Sequence, residues 1–536
     1  MSPAETKPTF AALAARRAAE TPGRVAFTEG GRDINCTEFD AMGRRAAAWL
    51  RAQGIGAGDR VAVWLPNRME WLALLFGLAR VGACLVAANT RYRSGELEYL
   101  LERSKARMLV CQPEFRGIDF AAVLQGVNPT AATHLQKICV IGSSSQAQIL
   151  GKPAVRFEAS NYPADARDDS DPDALALLFT TSGTTKGPKL VMHSQRDMML
   201  HSERVADAHG FRDEGARLLS AIPLCGVFGL NSTLAAYAGG APIVLMETFD
   251  AAVAATLMLH HSITHVYGTD EGFKLLLKAA PGHDPFPSAR VCGFAAVQAG
   301  SADFARAAWE RRVPVLGLYG SSEVHALFSM QSPALPVDQR IEGGGLPASG
   351  AQAEVRIRDL DSGKPAPAGA SGEIEIRAPT NFSGYLDNPE ATAEAIGADG
   401  FFRTGDIGYQ RPDGSFVFVT RRGDAMRLGG FLVNPEEIES ELKRISGVAD
   451  AQVVAVEFDA RTRCVAFVIA EAGSAPSEAG VIAAAAQTMA GYKVPVRVWF
   501  IDAFPVTPGA NATKIQRGKL REMALACIRG EKLHMR

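Results

Sequence analysis

From Leu218 to Met246 the chain carries no charged residue. A stretch of that length either crosses a bilayer or lies wholly buried, and the two outcomes require different folds. A bilayer demands continuous apolar helix. This run is broken by Pro223, Gly226, Gly229, Asn231, Gly239, Gly240 and Pro242. Such punctuation reads as strand, loop, helix, turn and strand inside a buried α/β core. A chain of 536 residues, 47% hydrophobic, is long enough to form such a core in several folding units. No transmembrane segment is expected.

The rest of the chain supports a layered α/β architecture. Phe39, Met42, Ala46, Trp49 and Leu50 recur near period 3.6, predicting a helix over Thr37–Gln53. Gly58-Asp59 turns into an apolar strand, Val61–Leu65, ended by Pro66-Asn67, and Met69–Val81 reads as the next helix. Alternating helices and buried strands predict stacked layers. From about residue 340 to 420 the pattern changes. Glu354–Arg358 and Glu373–Arg377 alternate charged and apolar residues between Gly- and Pro-rich turns, as in a small, mostly β unit. A strand over Phe416–Val419 precedes Arg421–Asp424. Beyond it come Gly429-Gly430, Pro435 and a helix from Glu436 to about Ile445. Residues 421–424 therefore read as a hinge, with Gly423 and Asp424 as candidate pivots, between residues 1–420 and a small α+β domain over 425–536. Glu471–Gly480, polar and broken by Pro476, reads as a surface loop.

Several function classes are excluded early. A formal net charge of −2 and no basic stripe argue against nucleic acid as a partner. The cysteines, Cys36, Cys84, Cys111, Cys139, Cys225, Cys292, Cys464 and Cys527, form no C-x-x-C pair and mostly lie among apolar residues. Buried reduced thiols are expected, not a disulfide scaffold or zinc site. The N-terminus lacks the apolar core of a signal peptide, so a cytoplasmic protein is expected. Neither G-x-S-x-G nor H-E-x-x-H occurs.

The apolar strand Leu175–Phe179 runs into Thr180-Thr181-Ser182-Gly183-Thr184-Thr185-Lys186-Gly187-Pro188-Lys189. Glycines let backbone N–H groups approach an anion, hydroxyls add donors and lysines add charge. The composition suits phosphate, but Gly183 and Gly187 are too close for a Walker loop. The order of residues resembles the T-S-G-[ST]-T-G-x-P-K signature of the adenylate-forming superfamily, which holds acyl-CoA synthetases, peptide-synthetase adenylation domains and firefly luciferases. Thr181, Ser182, Gly183, Thr184, Thr185, Pro188 and Lys189 keep the register, with Lys186 where the family usually has Gly. Further matches follow in the family's order. Tyr319-Gly320-Ser321-Ser322-Glu323 resembles Y-G-x-T-E, and Arg403-Thr404-Gly405-Asp406 resembles R-T-G-D. Arg421 resembles the arginine that opens the hinge motif. Lys514, in Pro505–Arg517, resembles the catalytic lysine of P-x-T-x-x-G-K-I-x-R, with Thr513 at the usual Gly.

The resemblance implies a large N-terminal AMP-binding domain of layered α/β subdomains plus a small β unit, and a small mobile C-terminal domain. It implies ATP, Mg²⁺ and coenzyme A as cofactors and co-substrates. It also implies that a carboxylic acid becomes an acyl-adenylate and then a thioester. Lys514 and Glu323 would be catalytic, Glu323 also holding the metal. ATP or AMP would meet Thr181, Ser182, Gly183, Thr184, Thr185, Lys189, Ala295, Tyr319, Gly320, Ser321, Ser322, Asp406 and Arg421. Gly429 and Gly430 resemble the wall of the pantetheine tunnel. The acyl pocket would draw on Cys225, Phe228, Gly293 and Phe294, where Gly226 replaces the family's His. These positions carry no lysine or arginine, which favours a hydrophobic acid, fatty or aromatic. An acyl carrier protein as acceptor, or a nucleotide-binding protein without catalysis, are the alternatives.

Overall fold

The computed structural model describes residues 7–116, 118–142, 147–181, 188–295, 301–428, 431–459, 461–508 and 513–529. It divides into two compact units. One comprises residues up to 295, 306–354 and 376–402; the other comprises 296–305, 355–375 and 403 onward.

The uncharged run lies at the centre of the first unit. It opens as the strand Leu218–Ser220, continues through the helix Val227–Gly239 and closes as the strand Ile243–Leu245. Every residue from Phe228 to Ala238 is buried, which is why no charge is tolerated there. These strands belong to a sheet ordered Arg32–Asn35, Val25–Glu29, Ile243–Leu245, Leu218–Ser220, His265–Thr269, Val291–Ala295, Val315–Ser321, His325–Met330, Gly344–Pro347. Its middle strands are parallel and its ends antiparallel. A second sheet is ordered Gly384–Tyr385, Leu190–Ser194, Leu175–Thr180, Cys84–Ala87, Arg60–Trp64, Met108–Cys111, Lys137–Val140, Lys152–Arg156, Gln148–Ile149.

Helices Cys36–Ala52 and Met69–Arg80 pack with Val227–Gly239 through an aromatic cluster. The Phe39 ring lies 4.7 Å from Phe27, 4.9 Å from Phe76 and 5.0 Å from Tyr237. The helices and strands expected from periodicity are present within about a residue: Cys36–Ala52, Arg60–Trp64, Met69–Arg80 and Pro435–Lys443, the last stopping two residues early.

The strands Phe416–Arg421, Phe402–Gln410, Gly372–Arg377 and Glu354–Arg358, most of whose residues belong to the second unit, lie side by side in that order. The remainder is built on the hairpin Val448–Phe458 and Arg461–Ala470, with Val498–Phe500 parallel to its second strand. Alternation along these strands sends side chains to two faces. Val453, Cys464, Ala466 and Val468 pack with Ile438, Leu442, Val481 and Ala485. Val454, Val456, Val465 and Phe467 pack with Leu520 and Ala524. One expectation is corrected. The loop read over Glu471–Gly480 ends at Ser477, whose hydroxyl accepts from the Gly480 amide and caps the helix Glu478–Thr488. Glu478 and Ala479 are good helix formers once Ser477 caps the turn.

Among the described residues, seven cysteines are buried and unpaired and Cys527 is half-buried. No helix among them is long and apolar enough to cross a membrane.

Candidate active site

The strand Leu175–Thr180 pairs antiparallel with Leu190–Ser194, and the threonine-rich loop joins them. Ser182, Gly183, Thr184, Thr185, Lys186 and Gly187 lie outside the described residues. Both ends of the loop are fixed. Thr181 donates its amide to the Lys189 carbonyl at 2.9 Å, and the Lys189 amide donates to Thr181 Oγ1 at 3.0 Å. The Tyr99 hydroxyl donates to the Pro188 carbonyl.

Lys189 Nζ stands 4.4 Å from the centroid of the Tyr385 ring, a cation–π contact. The Tyr385 hydroxyl donates to Glu323 Oε1 at 3.0 Å. Tyr385 reaches this position because its short strand pairs with Val191, on the strand that follows the loop. Burial and the adjacent Glu323 charge both push the Tyr385 phenol above its ordinary range, so it stays a donor. Tyr385 thus joins two sequence motifs that are far apart in the chain. No sequence signal marked it, because the link is a strand pairing.

The Tyr319–Glu323 motif forms the end of the strand Val315–Ser321 and the turn after it. Gly320 is required: a Cβ there would meet the His325 carbonyl at 2.5 Å and Ala326 Cα at 2.6 Å. The turn is held at three points. The Glu323 amide donates to Ser321 Oγ at 3.2 Å, the Phe382 amide donates to the Glu323 carbonyl at 2.8 Å, and His193 Nε2 donates to the Ser322 carbonyl at 2.7 Å. Tyr319 is largely buried. Magnesium is ordinarily bound through one or two carboxylates, with phosphate oxygens and water completing its shell. Glu323, a half-buried hard-oxygen donor on a clamped turn, fits that requirement.

Cys225 and Phe228 flank the start of the helix Val227–Gly239, with Gly226 as its N-cap. Burial pushes the Cys225 thiol up to about 11, which leaves it an inert apolar group. Gly293, Phe294 and Ala295 end the strand Val291–Ala295. A Cβ on Gly293 would lie 2.5 Å from Tyr267 Cδ1 and 2.8 Å from Leu318 Cδ1, so the glycine makes room for the Tyr267 ring. Tyr267, unmarked in the sequence, is 3% exposed, bonded to His209 Nδ1 at 2.8 Å and 6.2 Å from the Phe228 ring.

In the second unit, Asp406 and Arg421 are directly opposite in neighbouring strands, with Arg421 Nε 2.9 Å from Asp406 Oδ1. The Thr404 hydroxyl donates to the Ile374 carbonyl and accepts from the Asp406 amide, which fixes that corner. After Arg421 the chain turns: the amides of Asp424 and Ala425 both donate to the Arg421 carbonyl, at 3.0 and 2.8 Å. Gly423 has open space around it. Gly429 and Gly430 lie outside the described residues. Lys514 sits in the strand Thr513–Ile515, paired with Thr507 of Val506–Pro508. Two residues beyond that strand, Arg517 grips Glu439 with two parallel bonds of 2.8 and 2.9 Å. Glu439 was not marked in the sequence either.

The profile of a family described as "AMP-binding enzyme" matches residues 14–386, and that of "AMP-binding enzyme C-terminal domain" matches 437–510. The chain is 33% identical over 514 residues to a 3-[(3aS,4S,7aS)-7a-methyl-1,5-dioxo-octahydro-1H-inden-4-yl]propanoyl:CoA ligase of Mycobacterium tuberculosis, spanning 94% of this chain and 96% of that protein. It is 30% identical over 524 residues to 4-coumarate–CoA ligase 5 of Oryza sativa subsp. japonica, spanning 95% and 94%. Its fold superposes on the crystal structure of ATP-bound MatB from Rhodopseudomonas palustris with a TM-score of 0.81 at 25% identity, covering 96% of this chain and 99% of the other.

Proposed function

Because the chain belongs to the AMP-binding enzyme family and is an AMP-forming acid–thiol ligase of the coenzyme A ligase kind, we propose that it activates a hydrophobic monocarboxylic acid. The acid attacks the α-phosphorus of ATP, releasing pyrophosphate. Coenzyme A then displaces AMP from the acyl-adenylate to give a thioester. The observation that carries this reading is the Lys189–Tyr385–Glu323 linkage, which brings the loop's lysine and the motif's carboxylate to one place.

Two anions must meet in the first step, and their repulsion is the main obstacle. Mg²⁺ held at Glu323 would neutralise phosphate charge. The 181–189 loop, with Lys189 at its end, binds the departing pyrophosphate end of ATP. Lys514 offsets negative charge at the reacting carboxylate and α-phosphate. Tyr319 offers its ring to adenine, and Asp406 accepts the ribose hydroxyls, with Arg421 beside it. Positioning and charge stabilisation carry the catalysis, as expected when little covalent work falls to the protein. Residues 1–420 and 425–536 act as domains about a hinge at 421–424. The closed form shields the water-sensitive adenylate, and the rotated form admits the thiol past Gly429 and Gly430.

The substrate reading rests on Cys225, Phe228 and Phe294, which are buried and apolar. Two relatives whose names specify ring-bearing acids support the same class. Pyrophosphate exchange across a panel of acids tests it, followed by trapping with coenzyme A or a holo carrier protein. Exchange is expected with apolar cyclic or long-chain acids. Preference for an amino acid or a dicarboxylate would overturn the substrate class. Transfer to the carrier protein alone would overturn coenzyme A as acceptor.

A further inference from the structure

Beneath the Ser321–Glu323 turn lies a buried polar cluster that the mechanism above does not use. His193, His325 and His201 form a column of rings, with centroids 4.2 and 4.4 Å apart, and none is more than 1% exposed. Asp197 faces the column: its Oδ1 is 3.4 Å from His193 Nδ1 and 3.6 Å from His325 Nε2.

The donors and acceptors define the charge on each group. Asp197 Oδ2 accepts from the Ser194 amide at 2.8 Å and from the Ser194 hydroxyl at 3.0 Å, in the first turn of the helix Gln195–Ala208. A capping box and a helix N-terminus both favour the carboxylate. That buried anion requires a cation. His325 is not the cation. Asn231 Oδ1 accepts from the Ala326 amide at 3.0 Å, so Asn231 Nδ2 is the group facing His325 Nδ1 at 3.4 Å. His325 Nδ1 is therefore an acceptor and the ring is neutral. Burial also holds His201 below the ordinary histidine range. His193 differs, because both its nitrogens face oxygens. Nε2 meets the Ser322 carbonyl at 2.7 Å, which only a donor satisfies, and Nδ1 meets the carboxylate.

Three converging ligand atoms on His193, Asp197 and His325 also suggest a metal site. A metal on His325 Nε2 would put the proton on Nδ1, against the Asn231 amide group. Asn231 cannot turn over without losing the Ala326 amide. The cluster is self-consistent as one cation, one anion and two neutral rings.

We propose that His193 is a resident imidazolium, paired with Asp197, whose Nε2–H holds the Ser322 carbonyl and so positions the turn that presents Glu323 to ATP. This rests on the reading that the turn meets ATP. His193 and Asp197 are positioning residues: they act through Ser322 and touch no substrate.

Three variants separate positioning from stability. His193→Phe leaves Asp197 as a lone buried charge. His193→Phe with Asp197→Asn removes charge and donor together while keeping an acceptor for Ser194. Asp197→Asn alone removes the charge but lets neutral His193 keep donating to Ser322. Melting temperature is expected to fall most in His193→Phe and to recover in the double variant. In pyrophosphate exchange, KM for MgATP is expected to rise about tenfold in both, the loss of one charge-assisted hydrogen bond, and by a clearly smaller factor in Asp197→Asn. Nitrogen-15 histidine spectra are expected to show a ring protonated on both nitrogens that is lost in His193→Phe. The proposal is overturned by a neutral His193, by one equivalent of metal in the purified protein, or by a wild-type KM in the double variant. Absence of exchange in the wild type with every acid would instead count against the proposed function, and the spectra and melting temperatures would still decide the ion pair.

Discussion

Replacing Arg517 with methionine would leave the Glu439 carboxylate, 0% exposed, with the Val453 amide at 3.0 Å as its remaining donor among the described residues. Arg517 donates to both carboxylate oxygens, and its own side chain is 19% exposed. Breaking a buried pair by removing one partner costs about 3–5 kcal/mol, because the orphaned charge stays desolvated. Glu439 has an escape: burial pushes its carboxyl up to about 7 even with Arg517 beside it. Without the guanidinium it takes a proton more readily still. The folded variant then holds more protons than the unfolded chain above the ordinary carboxyl value, so the destabilisation grows with pH. The cost expected for Arg517→Met is about 3–5 kcal/mol at pH 8. At pH 6, where the carboxyl is neutral and only hydrogen bonds are lost, it falls to about 1–3 kcal/mol. Hydrogen exchange by mass spectrometry reads this locally, on peptides from Pro435–Lys443 and Val448–Phe458. Exchange at pH 8 should accelerate by about two to three orders of magnitude. An acceleration under threefold, or an equal one at both pH values, would refute the reasoning. Since Arg517 lies three residues past Lys514, the adenylation rate should fall with the loss of protection.

Lys514→Ala is expected to abolish adenylate formation while largely sparing thioester formation from supplied adenylate; equal loss in both half-reactions would contradict the assigned role. Tyr385→Phe keeps a ring for Lys189 but drops the bond to Glu323, so MgATP affinity measured calorimetrically should weaken about tenfold. Gly423→Pro should slow single-turnover thioester formation more than adenylation, and an unchanged thioester rate would count against the hinge. Burial lowers His325 and His265 to about 4 and His209 to about 3. The unfolded chain therefore binds more protons between the ordinary histidine value and those values, and stability falls as pH drops from about 6.5 to 4. Each histidine contributes about 1.4 kcal/mol per pH unit in that window. Urea midpoints unchanged from pH 6.5 to 4.5 would contradict this.

Element positions were legible in the sequence wherever burial is periodic. The uncharged run resolved into strand, helix and strand because glycines and prolines mark where each ends, and an all-round apolar helix of 13 residues is too short to cross a bilayer and lies in the core. The loop at 471–480 was overextended because a polar stretch that starts with a turn and ends in a cap looks uniform along the chain. The residues proposed to carry the chemistry stand out in the sequence as types in a family's characteristic order: hydroxyls and lysines near 181–189, a carboxylate at 323, a lysine at 514. Local order records the chemistry a segment must offer its ligand. It does not record which distant segment that chemistry will meet.

That second question belonged to tertiary structure. Tyr385 bridges Lys189 and Glu323 because a two-residue strand pairs with Val191. His193, His201 and His325 stack beneath the Ser322 carbonyl because a helix and two strands converge there, and nothing in their spacing predicts it. Sequence alone determined the α/β layering, which follows from burial pattern, and the expectation of ATP came from the resemblance of local motifs to the adenylate-forming superfamily. The supports that hold Glu323 and Glu439 in place were decided only by the fold, because a hydrogen bond depends on positions in space that side-chain identity does not encode.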